Sequence, residues 1–248
     1  MTEANSSRKE EPPLCVYCGQ RPGVTRDHVI ARCFFPGTLP SDMITVPCCE
    51  DCNKSYEKDE EYMRSLICMD YGVVESSDSA LRQLVGPVTR SLFRAEHTGL
   101  LDLILDTSKP VELFTEGGIY LGQTRRIRVD DSRFCNVARK IILGLHFHRT
   151  GHRLADGYTV KVSNIGTDLD LARKILGSRS VPWNPPVSIG KDVFRYTWSS
   201  VDTDPGLGAW AFDFYGRYVF IGLTMSLGIQ AEADRRLERK GVRMDETR

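Results

Sequence analysis

Two Cys-x-x-Cys pairs set the strongest constraint on what this chain can fold into. The first is Cys15 and Cys18, within Leu14-Cys-Val-Tyr-Cys-Gly19, and the second is Cys49 and Cys52, within Pro47-Cys-Cys-Glu-Asp-Cys-Asn53. A two-residue spacer lets both sulfurs of a pair face one ion, so two such pairs joined by a loop predict a tetrahedral four-thiolate zinc site. Gly19 is placed to complete a zinc-knuckle turn. Cys48 competes with Cys49 for one position, although its longer gap to Cys52 suits a knuckle less well.

Between the pairs, Thr25-Arg-Asp-His-Val-Ile30 reads as a short β-branched strand with Asp27 and His28 near its middle. Asn53 follows the last cysteine at the start of an expected helix, in which Tyr56, Met63 and Ile67 recur at helical intervals up to about Met69. Zinc-held loops would bring that strand and that helix side by side. Asp27 and the side-chain oxygen of Asn53 are hard oxygen donors of the kind Mg²⁺ accepts, and His28 is a base that titrates near neutral pH. Taken singly, each residue has a plain structural role: Asp27-His28 as a turn, Asn53 as a helix cap.

Together these residues resemble the HNH-type, or ββα-metal, endonucleases, and are most similar to the zinc-containing branch that includes phage endonuclease VII. The resemblance spans about Leu14 to Asp70 and rests on the cysteine pairs, Asp27-His28 and the Cys52-Asn53 junction. It implies that Asp27 and Asn53 hold a catalytic Mg²⁺ or Mn²⁺, and that His28 is the general base. The middle asparagine of the family pattern has no counterpart in Asp42-Met-Ile-Thr-Val-Pro47, which leaves Thr45 or a backbone carbonyl to orient His28.

At 248 residues with 41% hydrophobic content, the chain can bury a sizeable core and suits one large or two small domains. A zinc module of this size needs its metal, which supplies on the order of 10 kcal/mol of folding free energy in small zinc domains. No apolar run is long enough to cross a bilayer, and the polar start Met1-Thr-Glu-Ala-Asn-Ser-Ser-Arg8 lacks a signal-peptide core, so a cytoplasmic location is expected. In that reducing setting Cys33, Cys48, Cys68 and Cys135 are expected to be free thiols. The net charge is zero, which argues against a protein that wraps a long stretch of nucleic acid.

Residues 1–13 read as a disordered tail, and 71–79 as a linker after the zinc module. The segment Ser79 to Glu96 reads as a helix broken or kinked at Gly86-Pro87. Val111 to Thr115 and Ile119 to Val129 read as a hairpin. The clearest helix runs from Ser132 to Thr150, where Phe134, Val137, Ala138, Ile141, Ile142 and Leu145 form one apolar stripe. Arg133, Arg139 and Lys140 are placed on its opposite face, either as a phosphate-contacting surface or as ordinary solvated charge. His148 falls within the apolar sector, as a core or border histidine. The run Asp59-Glu-Glu61 reads as a solvated face. Tyr158 to Val162 reads as a strand, Asp168 to Leu176 as a short helix capped by Thr167, and Ala231 to Lys240 as a charged surface helix. Between them, Val193 to Trp198, Ala209 to Tyr215 and Tyr218 to Leu223 read as antiparallel aromatic strands, with core the favoured use of their rings and base stacking the alternative.

The fold class expected is therefore α+β: an N-terminal zinc-stapled ββα-metal (HNH-type) module at 14–70, followed by an α+β domain with antiparallel strands at 71–248. The function expected is metal-dependent hydrolysis of phosphodiester bonds, with DNA as substrate, structural Zn²⁺ on the four cysteines, one catalytic Mg²⁺ or Mn²⁺, and no membrane partner. The alternative is a zinc-dependent nucleic-acid-binding module with a degenerate nuclease centre.

Overall fold

The computed structural model describes residues 12–70, 79–94, 98–115, 117–178, 180–191 and 193–239. Residues 1–11 of the expected tail and 71–78 of the expected linker lie outside the described residues, whereas the Pro13 carbonyl accepts the Gly23 N–H at 2.7 Å and Ser79 opens a helix. The first elements are strands β1 (Thr25–His28) and β2 (Thr45–Cys48), which pair antiparallel with Asp27 opposite Val46 and His28 opposite Thr45. The long connection between them carries a 3-10 turn at Arg32–Phe34. Helices α1 (Glu50–Ser55) and α2 (Glu57–Met69) follow, separated only at Tyr56. Where one helix was expected to start at Asn53, there are thus two, and Asn53 lies inside the first, because Cys49 caps it by accepting the Cys52 N–H at 3.5 Å.

Helix α3 (Ser79–Leu92) runs through Pro87 and buries Leu84, Val88 and Leu92. Helix α4 (Thr98–Thr107) was not expected: it leads directly into β3 (Ser108–Phe114), which forms a hairpin with β4 (Tyr120–Ile127). The central helix, α5, spans Asp131–Thr150, capped by Asp130, whose carboxylate accepts the Ser132 N–H at 3.1 Å, and stopped at Gly151. Beyond it come β5 (Tyr158–Gly166), α6 (Leu169–Leu176), β6 (Val187–Ile189), β7 (Phe194–Val201), β8 (Asp204–Phe214), β9 (Tyr218–Ser226) and α7 (Leu227–Arg239). The strands form one antiparallel sheet in the order β5-β9-β8-β7-β6. Asp168, not Thr167, caps α6 by accepting the Leu171 N–H at 2.9 Å.

Helix α5 is buried between the cysteine-bearing hairpin and the sheet, and its small residues and neighbours show how closely. A methyl group at Gly144 would lie 2.6 Å from Cγ2 of Val29, the residue just after β1. On the other side, Ile142 occupies the space where Gly222 of β9 would carry a side chain. The apolar stripe read from the sequence is buried throughout: Phe134, Val137, Ala138, Ile141, Ile142 and Leu145 are each at most 2% exposed. The aromatic strands take the core role. Phe194, Phe212, Phe214 and Phe220 are buried, Phe214 packs on Phe34 with ring centroids 4.6 Å apart, and the Tyr215 hydroxyl donates to the Phe34 carbonyl at 2.5 Å. One apolar cluster therefore runs from Val16 to Phe220, without a break matching the division read near residue 70.

That contact predicts a sign. In a solvent-facing helix Gly→Ala stabilises by about 1 kcal/mol, whereas overpacking a core costs about 1–3 kcal/mol. Because the branched Val29 side chain has little freedom to move aside, Gly144→Ala is expected to lower the denaturant midpoint without changing the slope of the transition.

Candidate functional site

The sulfurs of Cys15, Cys18, Cys49 and Cys52 all lie within 4.8 Å of one another. Zinc–sulfur bonds of about 2.3 Å in a tetrahedron demand sulfurs about 3.8 Å apart; those of Cys18 and Cys49 are separated by 3.9 Å. The donor set therefore suits a structural metal such as zinc. The local backbone explains the approach: Gly19, with φ of 63°, turns the first knuckle, and its N–H donates to the Cys15 carbonyl at 2.9 Å. Burial disfavours the Cys18 thiolate, but the backbone N–H groups of Gln20 and Arg21 outweigh it and bring the thiol pKa down to about 6. Cys48 is not part of the group. Its thiol turns to the Cys49 carbonyl at 3.2 Å, so Cys49 is the one of the two that joins the group able to hold a metal.

Next to the cysteines lies a charged centre that the sequence did not announce. Lys140 of α5 is 1% exposed. Its ammonium donates to Oε1 of Glu60 at 2.5 Å, to Oδ2 of Asp27 at 2.8 Å and to the backbone carbonyl of His28 at 3.0 Å. The rings of Tyr17 and Tyr56 lie 5.9 and 5.6 Å from the same nitrogen. Burial pulls the Lys140 pKa down, but Glu60 and Asp27 more than compensate and hold it above the ordinary lysine value. Burial pushes the Glu60 pKa up, with Lys140 pulling the other way. Tyr17 also donates to Oδ2 of Asp27, at 2.6 Å. All the polar contacts of the Asp27 side chain thus fall on one oxygen, and Oδ1 has no partner among the described residues.

Asp27, His28 and Asn53 line one open cleft of about 600 Å³, together with Arg26, Arg32, Arg64 and the carboxylates of Glu57, Glu60 and Glu61. Asn53 donates from Nδ2 to the Thr25 hydroxyl at 3.3 Å, leaving its oxygen without a partner among the described residues. The His28 ring makes no hydrogen bond among the described residues. Burial, then the nearby Arg32, lowers its pKa below the ordinary 6.5, with Asp27 opposing, so the imidazole is neutral at pH 7. Thr45 sits opposite His28, but its hydroxyl accepts from Arg26 at 2.9 and 2.8 Å. The backbone of His28 is held instead by Lys140.

The basic face expected on α5 is not a face. Lys140 is enclosed, as described. Arg133 donates to Asp59 and to the Lys58 carbonyl, both at 2.7 Å, and lies 4.2 Å over the Tyr62 ring. Only Arg139 is exposed, with its Nε 3.5 Å from the Val160 carbonyl. The physical reason is that α2 covers this flank of the helix, and its acidic run supplies the partners. Asp59 takes Arg133 and Asn136, and Glu60 takes Lys140, so the run is not a solvated face. His148 is exposed; the buried histidine is His146, edge-on to Trp210 with ring centroids 6.4 Å apart.

Compared with known proteins, the chain matches no family model, no curated protein and no solved structure. What stands on the molecule itself is an α+β fold with antiparallel sheets and a four-cysteine group able to hold a metal. Among the described residues no helix is long and apolar enough to cross a membrane.

Proposed function

We propose that the cleft is the centre of an HNH-type, metal-dependent endonuclease that hydrolyses phosphodiester bonds, with DNA as its substrate. The observation that carries this reading is that Asp27, His28 and Asn53, supplied by β1 and α1, line one cleft next to the four-sulfur group. A water attacking phosphorus needs a base to take its proton, and neutral His28 is the available base. Asp27 and Asn53 each retain an oxygen without a partner among the described residues, and these are hard donors suited to Mg²⁺ or Mn²⁺. When bound, such an ion would supply positive charge for the developing phosphorane and the leaving oxygen. Lys140 steadies the strand beneath, binding Asp27 through the other oxygen and His28 through its carbonyl.

One contact favours a second reading, a zinc-dependent nucleic-acid-binding module with a degenerate centre. The Lys140 ammonium lies 2.8 Å from Asp27 and offsets the negative charge that would draw a metal. Purified wild-type protein and a His28→Ala variant, incubated with a panel of nucleic acids in Mg²⁺, Mn²⁺ or EDTA, separate the two. Loss of the base is expected to slow cleavage by roughly 10²- to 10⁴-fold while zinc content and folding stay unchanged. Cleavage by the wild type should weaken only as pH drops through the His28 pKa, below 6.5, because a protonated imidazole cannot accept the water proton. The degenerate centre predicts binding and no cleavage to lose. Metal-dependent cleavage surviving intact in His28→Ala would remove this histidine, and with it the HNH assignment.

A further inference from the structure

With Arg133 and Lys140 engaged by protein carboxylates, the groups that would grip a substrate must lie elsewhere. Three guanidinium groups line the same cleft as His28, and they differ in what occupies them. Arg26 is tied to Thr45, donating to its hydroxyl from two nitrogens and to its carbonyl at 3.1 Å. Arg32, on the 3-10 turn, is exposed and its side chain forms no hydrogen bond or ion pair among the described residues. Arg64, on α2, is the unusual one. Its side chain is 17% exposed, its Nε is buried with no acceptor among the described residues, and its Nη2 pairs with Oε1 of Glu61 only loosely, at 3.7 Å.

A buried guanidinium with no acceptor is costly to keep, and native proteins satisfy nearly all such groups. Arg64 is held in the cleft wall with an Nε that has no acceptor among the described residues. Arg32 lines the same cleft as His28. We propose that Arg32 and Arg64 form the phosphate-binding edge of the cleft and take the phosphodiester backbone of a nucleic acid strand. The planar fork of arginine suits the paired oxygens of a phosphate, and two forks on different elements would set the strand across the cleft next to His28. Glu57 and Glu61 line the same cleft and repel an anion, so binding is expected to strengthen when Mg²⁺ is present. This inference deepens the nuclease reading and rests on it for the identity of the ligand.

The test measures binding rather than turnover. In a His28→Ala background with Mg²⁺, association of a fluorescent oligonucleotide duplex and of its single strand is followed as a function of salt. Adding Arg64→Ala or Arg32→Ala should weaken binding roughly tenfold or more, and each should reduce the salt slope by about one. Arg139→Ala, on the exposed side of α5, should change little. Arg64→Lys guards against a folding artefact: it keeps the charge and loses the fork, so the salt slope should hold while affinity falls. Binding and salt slope unchanged in Arg32→Ala and Arg64→Ala would overturn the proposal, even if His28→Ala has lost cleavage. Conversely, arginine-dependent binding by a protein that never cleaves would sustain this phosphate edge and sink the nuclease reading.

Discussion

Replacing Cys49 with serine is expected to release the metal and unfold the N-terminal hairpin. The four sulfurs lie within 4.8 Å of one another, in a small cluster with Cys48 and Tyr17 that is separate from the main core, so the first knuckle and the start of α1 depend on the metal to stay together. In small zinc domains the metal contributes on the order of 10 kcal/mol of folding free energy, comparable to the whole stability of a domain. Here the damage should spread, because Val29, Phe34 and Val46 belong to the cluster that also contains α5 and the sheet. Elemental analysis of protein prepared without added metal should find one zinc per chain in the wild type and none in Cys49→Ser, with a large fall in thermal stability. Cys48→Ser and Cys135→Ser should keep the zinc. A wild-type preparation that is folded and free of metal would sink the assignment.

The second large effect is expected at Lys140. Truncating one member of a buried ion-pair network costs about 3–5 kcal/mol, because the remaining charges stay buried without a partner. Lys140→Met keeps most of the apolar stem but leaves Glu60 and Asp27 facing each other. The deficit should shrink as pH falls. Burial already raises the Glu60 pKa above its ordinary value, and without the ammonium it rises further, so the carboxyl becomes neutral at a pH where an unfolded glutamate is still charged. A group whose folded pKa is raised adds stability at low pH and loses it as pH rises through that pKa. Glu60→Gln in the Lys140→Met background should therefore recover part of the loss at neutral pH. Denaturant unfolding of the two variants from pH 5 to 8 decides this; equal deficits at all pH values would show that the lysine acts through packing alone.

Much of the cysteine-bearing hairpin was legible because the spacing of cysteine pairs is a local property. Cys15, Cys18, Cys49 and Cys52 meet as their spacing required, and the strand carrying Asp27 and His28 forms where its β-branched residues placed it. Spacing favoured Cys49 over Cys48 without settling it, and the fold brings the Cys49 sulfur to the other three while the Cys48 thiol turns to the Cys49 carbonyl. Helix α4 was missed because Thr98–Thr107 is apolar on more than one side and runs directly into a strand, with Pro110 falling inside that strand rather than between the two.

The sequence by itself determined where the cysteine pairs fall, which stripe of α5 is buried and which aromatic strands form the sheet, because periodicity reports how apolar side chains leave water. It did not determine the surroundings of the charged residues. Arg133, Lys140 and Gly144 lie on one flank of α5, one to two turns apart, but nothing in their spacing says that α2 and the hairpin cover that flank. Only the tertiary structure decided that Lys140, separated in sequence from Glu60 and Asp27, is closed in between them. A lysine next to an apolar stripe is equally stable in water or between two carboxylates, and the choice belongs to whichever element packs against it.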